Sequence, residues 1–240
     1  MKRVLSALIA IPPFVLLVAL GPPFTFALLV GAAVMVGTWE FHRIARPGRI
    51  PAHPWMGYLL AACLSVAFYG GNPLYLAAAL TLALLLLFGR WLTAGGSPKE
   101  SVEAIALTLL GAFFVAWTMG HLIWLRAYPR GQAYIFFLFF VVWVGDTAAF
   151  YVGRALGKHP LSAAISPKKT VEGTLAGLGG STGAALLASF WFLPLGGEVW
   201  AILLGLALGA LGQLGDLSES LLKRWAGIKD AGTIIPGHGG

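Results

Sequence analysis

Apolar residues run on for about twenty positions at a time along most of this chain, the length needed to cross the hydrocarbon core of a bilayer. Eight such runs are predicted as helices, at about 3–20, 24–41, 55–70, 73–91, 104–125, 133–153, 171–193 and 199–217. Helix breakers fall between them: GPP at 21–23, Pro51 with Pro54, GGNP at 70–73, GGSP at 95–98, Pro129, Pro160 with Pro167, and Pro194 with the glycines after it. No stretch between the runs is long enough for a soluble domain. The pattern predicts an all-α, polytopic integral membrane protein of about eight transmembrane helices. Residues 1–130 form an N-terminal set and residues 131–240 a C-terminal set with the polar loops, within one membrane domain.

The N-terminus, MKRVLSALIAIPPFVLLVAL, places Lys2 and Arg3 before an apolar stretch as a secretory signal does. No small-x-small cleavage site follows, and further spans do, so it reads as a retained first helix. Composition adds that 58% of the 240 residues are hydrophobic and that only 16 basic and 9 acidic residues are present. Cys63 is the single cysteine and lies in an apolar run, which excludes a disulfide framework or a cysteine metal cluster and points to packing. With the N-terminus on the cytoplasmic side, only Arg126 and Arg130 of the 16 basic residues fall outside. That asymmetry predicts a cytoplasmic N-terminus and a basic cytoplasmic face attractive to anionic lipid headgroups and solutes, in a multi-pass protein expected in the cell's inner, cytoplasmic membrane. The bases are spread over short loops beside membrane helices rather than on a groove-reading helix or arm, so nucleic acid is not an expected partner.

Charge is concentrated where the chain is otherwise greasy. Asp146, Glu172, Asp216, Glu219 and Asp230 lie in the last hundred residues, beside the densest bases. Asp146 sits in FFLFFVVWVGDTAAFYVGR, where an unpartnered ionised carboxylate is costly; it needs a cation, a water-filled cavity, or an ion pair with Arg154 or a lysine. In QLGDLSESLLKRWAGIKD, residues 213–230, the positions Gln213, Asp216, Ser220, Lys223 and Arg224 recur at three- and four-residue steps. They share one face of a helix that runs from the bilayer to its surface. Glu219 and Lys223 also form an i,i+4 pair in the favourable order, a structural role that leaves Asp216 and Gln213 unexplained. The glycine-rich GIKDAGTIIPGHGG that follows carries Lys229, Asp230 and His238 on backbone able to approach a phosphate closely. In SPKKTVEGTLAG, Ser166 or Thr170 is expected to cap the next helix, with Pro167 in its first turn. Lys168 and Lys169 then stand at a helix N-terminus, where they suit a docked anion or acidic lipid.

Carboxylates and bases gathered at a membrane surface are the equipment of phosphoryl or nucleotidyl transfer. Mg²⁺ takes one or two carboxylates and completes its shell with waters and substrate phosphate oxygens, while lysine and arginine neutralise the rest. Two patterns have a plainer role: GLGGSTG at 177–183 and GLALG at 205–209 permit close helix packing. Trp55, Trp91 and Trp200 near span ends read as interfacial anchors.

The run S-L-L-K-R-x4-K-D-A-G-x2-I-P-G-H-G-G, residues 220–240, resembles the signature of the phosphatidate cytidylyltransferases, in residue type and spacing. GDTAAFYVGRALGK and SPKKTVEG upstream are similar to that family too, as is the many-helix layout. The resemblance implies transfer of CMP from CTP to phosphatidate, with Mg²⁺ required and a polar cavity on the cytoplasmic face. Asp216 and Asp230 become the expected metal carboxylates, with Asp146 in the same cavity, and these three with Lys223 form the expected catalytic set. Lys168, Lys169, Arg224, Lys229, Ser220, Gln213 and His238 become the expected substrate contacts. Membrane lipids and a second copy in a homodimer complete the expected partners. Family members continue past His-Gly-Gly with a further acidic and basic motif and one more helix, whereas the sequence here ends at Gly240. Alternatives are a CTP-dependent kinase of polyprenol-type alcohols, which releases CDP rather than pyrophosphate, and an ion-coupled transporter using Asp146 and Asp216.

Overall fold

In lipid every backbone N–H and C=O has to be satisfied within its own segment, so the apolar runs become helices. The structure, a computed structural model, describes residues 2–45, 54–94 and 97–228. Among these residues eight helices occupy the eight predicted spans: α1 (Lys2–Leu20), α2 (Pro23–Ala45), α3 (Pro54–Gly70), α4 (Pro73–Ala94), α5 (Pro98–Ala127), α6 (Gly131–Leu156), α7 (Val171–Trp191) and α8 (Glu198–Trp225). Four of them open on proline, whose fixed φ and missing N–H suit a first turn. Of the prolines that mark breaks in the sequence, Pro23, Pro54, Pro73 and Pro98 are thus the first residues of the helices that follow. Helices α2, α4, α5, α6 and α8 are long and apolar enough to cross a membrane. Their outward faces carry Leu85, Leu92 and Leu211, each well exposed, as lipid-facing helices require. The chain is an all-α polytopic membrane protein.

Helices α1 to α5 belong to one compact unit and residues Arg130–Gly227 to another. In the first, α5 contains a π-helical stretch, Ala112–Trp117, that the apolar pattern gives no sign of. Arg126, one of the two bases expected on the outer face, is buried and donates to Gly21 O at 2.8 Å. It thereby supplies a cation to the carbonyl end of α1. Cys63 is a correction: it is exposed on α3 instead of packed inside. Trp91, expected as an anchor, packs against the cluster of Met56, Leu87 and Ile105.

In the second unit the glycine-rich patterns do what their composition suggests. A Cβ on Gly145 would collide with Ser181 Oγ; one on Gly177 would lie 2.8 Å from Gln213 Nε2 and 3.0 Å from Ala149 Cβ. One on Gly205 would stand 2.6 Å from Thr182 Cα. Helices α6, α7 and α8 therefore approach to backbone distance along these faces, where dispersion and packing drive association in lipid. Phe137, Val141, Ala184, Ala185, Ala188 and Leu193 form the buried cluster at the other end of the unit.

The segment before α7 departs from expectation. Pro160–Ser162 (β1) and Ser166–Thr170 (β2) form an antiparallel hairpin, pairing Pro160 with Thr170 and Ser162 with Ser166. Ser166 and Pro167 are strand residues, not a helix cap and first turn. Pro167 pushes the residue before it toward extended backbone, and a two-stranded ribbon has only edges, where proline is tolerated. Thr170 is the N-cap of α7, its hydroxyl accepting from Gly173 N at 3.2 Å.

Candidate functional site

The face of α6 set by three- and four-residue steps carries Asp146, Ala149, Phe150, Gly153 and Arg154. Together with Ser166, Lys168, Lys169 and Thr170 of the hairpin, Gly173 and Thr174 of α7, and Gln213 and Asp216 of α8, these residues line a cavity of about 700 Å³. That volume is within the range of small-molecule sites, about 300–1,000 Å³. Three cationic and two anionic side chains share it.

Close packing and hydrogen bonds fix the walls. Gly153 and Gly173 meet where α6 crosses α7: a Cβ on Gly173 would lie 3.0 Å from Gly153 Cα and 2.8 Å from Ala149 O. Gln213 donates from Nε2 to Thr174 O at 3.0 Å, tying α8 to α7 one turn from Asp216. The hairpin is held at both ends. At its base the Glu172 carboxylate accepts from Lys158 N at 3.1 Å, from His159 N at 3.3 Å, and pairs with His159 Nδ1 at 2.6 Å. Beside these, Val171 N donates to His159 O at 2.9 Å. At its tip Arg224 Nε donates to Ile165 O at 3.2 Å.

Electrostatically the two acids differ. Lys169 Nζ stands 2.9 Å from Asp216 Oδ2, in a pair whose side chains are 29% and 55% exposed. Such an accessible pair is worth about 0–1 kcal/mol. Asp146 makes no hydrogen bond or ion pair among the described residues, Arg154 included, although both line the same cavity. The ion pair weighed for it in the sequence is not formed.

Of the residues predicted for the site, the cavity brings together Asp146, Lys168, Lys169, Gln213 and Asp216. Ser220, Lys223 and Arg224 do not line it. Ser220 Oγ donates to Asp216 O at 2.9 Å within its own helix, and Lys223 pairs with Glu219 at 2.6 Å in the i,i+4 manner. Arg224 braces the hairpin. Lys229, Asp230 and His238 lie outside the described residues. Sequence reasoning gave no role to Thr170 as a wall residue, to Thr174, or to Glu172 as the hairpin's anchor. Arg154 was legible as a wall residue, being eight positions from Asp146 and so on its face.

Among the described residues no group of three or more His, Cys, Asp or Glu side chains could hold a metal on its own. Two carboxylates facing one cavity suit instead a hard cation that takes few protein oxygens and shares its shell with water and a phosphate-bearing ligand. The donor set thus fits Mg²⁺ better than a metal that needs a closed protein cage.

The model of the cytidylyltransferase family matches residues 1–240. A phosphatidate cytidylyltransferase of Staphylococcus aureus is 43% identical over 137 residues, which is 56% of this chain and 51% of that protein. One from Staphylococcus epidermidis is 41% identical over 136 residues, covering 56% and 51%. One from a Synechocystis species is 45% identical over 113 residues, covering 47% and 38%. The match spans about half the length of the first of these relatives.

Proposed function

Since the chain belongs to the cytidylyltransferase family, we propose that its polar cavity moves CMP from CTP to phosphatidate, forming CDP-diacylglycerol and releasing pyrophosphate. The observation that carries this reading is the convergence of Asp146, Asp216, Lys168 and Lys169, from two helices and a hairpin, on one cavity. A phosphate oxygen of phosphatidate forms the new bond to the α-phosphorus of CTP, and the bond from that phosphorus to the β-phosphate bridging oxygen breaks. Positioning and charge neutralisation carry most of the rate in such transfers. Lys168 and Lys169 counter the negative charge of the triphosphate and of the departing pyrophosphate, and Arg154 adds a third cation to the same wall. Phe150, exposed beside the cavity, offers an apolar edge for the lipid chains.

Mg²⁺, when bound, would supply neutralisation across the phosphates; Asp146 and Asp216 are the described carboxylates that would hold it, with Asp230 of the glycine-rich segment a third. Lys223 and Arg224 act through α8 and the hairpin, and Ser220 through its bond to Asp216 O, while Gln213, Lys229 and His238 stay candidates for substrate contact. The basic asymmetry supports an N-terminus and cavity at the cytoplasmic side of the inner membrane, where CTP arrives from water and phosphatidate from the leaflet. A homodimer belongs to the same reading.

Labelled CTP tests it. With phosphatidate and Mg²⁺, label at the α-phosphorus enters the lipid and label at the γ-phosphorus leaves in pyrophosphate. Label from the γ-phosphorus in the lipid, with release of CDP, is the outcome of a kinase and overturns the reading.

A further inference from the structure

We infer that Lys169 holds the cation position beside Asp216 in the nucleotide-free protein and gives it up to a divalent ion when a triphosphate enters. Divalent ion and nucleotide then bind with positive coupling. This rests on the proposed reading of the cavity as a CTP site.

The two acids of the cavity are held differently. Lys169 places its ammonium group 2.9 Å from Asp216, whereas Asp146 in the same cavity makes no ion pair of its own among the described residues. An ammonium that close to Oδ2 fills space and charge that a divalent ion bound to Asp216 would need. A cation that binds Asp216 has to displace it or share the carboxylate with a neighbouring positive charge. Displacement is easy, because the pair is partly exposed and so weak, and because lysine is a point charge on a flexible four-carbon stem. What makes it favourable is a better partner for the ammonium. A triphosphate offers several charged oxygens, and its arrival lets Lys169 turn from the carboxylate to a phosphate while Asp216 turns to the ion.

The surrounding structure permits this to be a side-chain event. The backbone of β2 is pinned at the hairpin base by Glu172 and by the Val171 to His159 bond, and at the tip by Arg224. Lys169 therefore swings from a fixed root. By linkage, whatever factor the nucleotide adds to the ion's affinity, the ion adds to the nucleotide's.

The test measures free Mn²⁺ by electron paramagnetic resonance during titration of the purified protein in detergent, with and without α,β-methylene-CTP, which resists cleavage at the α-phosphorus; the Mn²⁺ chelated by the analogue in protein-free titrations is subtracted. In the wild type the analogue tightens Mn²⁺ binding at least about fivefold. In Lys169→Gln, nucleotide-free Mn²⁺ binding becomes about three- to tenfold tighter than wild type and the coupling factor shrinks. Lys169→Met gives the same direction, and Lys168→Gln, which removes equal charge but not the Asp216 pair, gives less than half that change. An unchanged or weaker nucleotide-free affinity in both Lys169 variants, or an equal gain in Lys168→Gln, overturns the inference alone. An analogue that fails to bind the wild type overturns the CTP reading with it.

Discussion

Replacing Asp216 by Asn lowers the initial rate of CMP transfer to phosphatidate by about two to three orders of magnitude, the scale of losing one element of charge stabilisation in a preorganised site. Asparagine keeps the size of the side chain and removes its charge, so the change isolates electrostatics from shape. The structure also bounds the alternative explanation. The only ion pair Asp216 makes among the described residues is the half-exposed one with Lys169, worth about 0–1 kcal/mol, so folding is nearly untouched. Radiochemical rates and thermal unfolding of the same preparation check both halves: activity collapses while the melting temperature moves little. A melting temperature that falls in step with activity would make Asp216 a structural residue instead.

Gly173→Val has the largest expected effect on stability. A Cβ there would lie 2.8 Å from Ala149 O, 3.0 Å from Gly153 Cα and 3.1 Å from Thr170 Oγ1. The first two obstacles are backbone and cannot rotate away, so α6 and α7 must part where they frame the cavity. Overpacking of this kind costs about 1–3 kcal/mol or more, and the Thr170 cap at the same spot is disturbed as well. Gly179→Ala on the same helix is the control, with nothing within 4 Å of its new methyl group. It keeps or raises stability, since alanine is favoured over glycine in a helix by about 0.8–1 kcal/mol. Thermal unfolding in one detergent distinguishes them: Gly173→Val melts clearly lower and binds CTP poorly, and Gly179→Ala does neither. Equal melting temperatures for Gly173→Val and wild type would mean that the two helices do not cross at this glycine.

The helices were legible because hydropathy and length are strong signals in lipid, and because four of the prolines that interrupt the apolar runs begin α2, α3, α4 and α5. The polar stripe on α8 was legible from spacing. What spacing could not decide is which members of a stripe look into a cavity. Gln213 and Asp216 do, whereas one and two turns later Ser220, Lys223 and Arg224 are used within the helix or on the hairpin. The meeting of Asp146 with Asp216 depends on the glycine contacts among α6, α7 and α8, which are tertiary. The hairpin was missed because SPKKT has a proline and two lysines, a composition that suits a helix start as well as an exposed ribbon. Its strand form comes from the pairing with Pro160–Ser162 and from Glu172 closing the loop behind it. The π-helical stretch in α5 has no counterpart in the apolar pattern, since one extra residue in a turn leaves hydrophobicity unchanged.

The location of the nucleotide can be measured apart from turnover. Thr174 lines the cavity and Cys63 is the only native cysteine, so a Thr174→Cys variant in a Cys63→Ala background carries one reporter thiol. Its labelling by a small methanethiosulfonate reagent should slow several-fold when CTP and Mg²⁺ are present, with half-protection at the concentration of CTP that half-saturates transfer. Labelling at the same rate with and without saturating CTP would place the nucleotide elsewhere and contradict the assignment of this cavity.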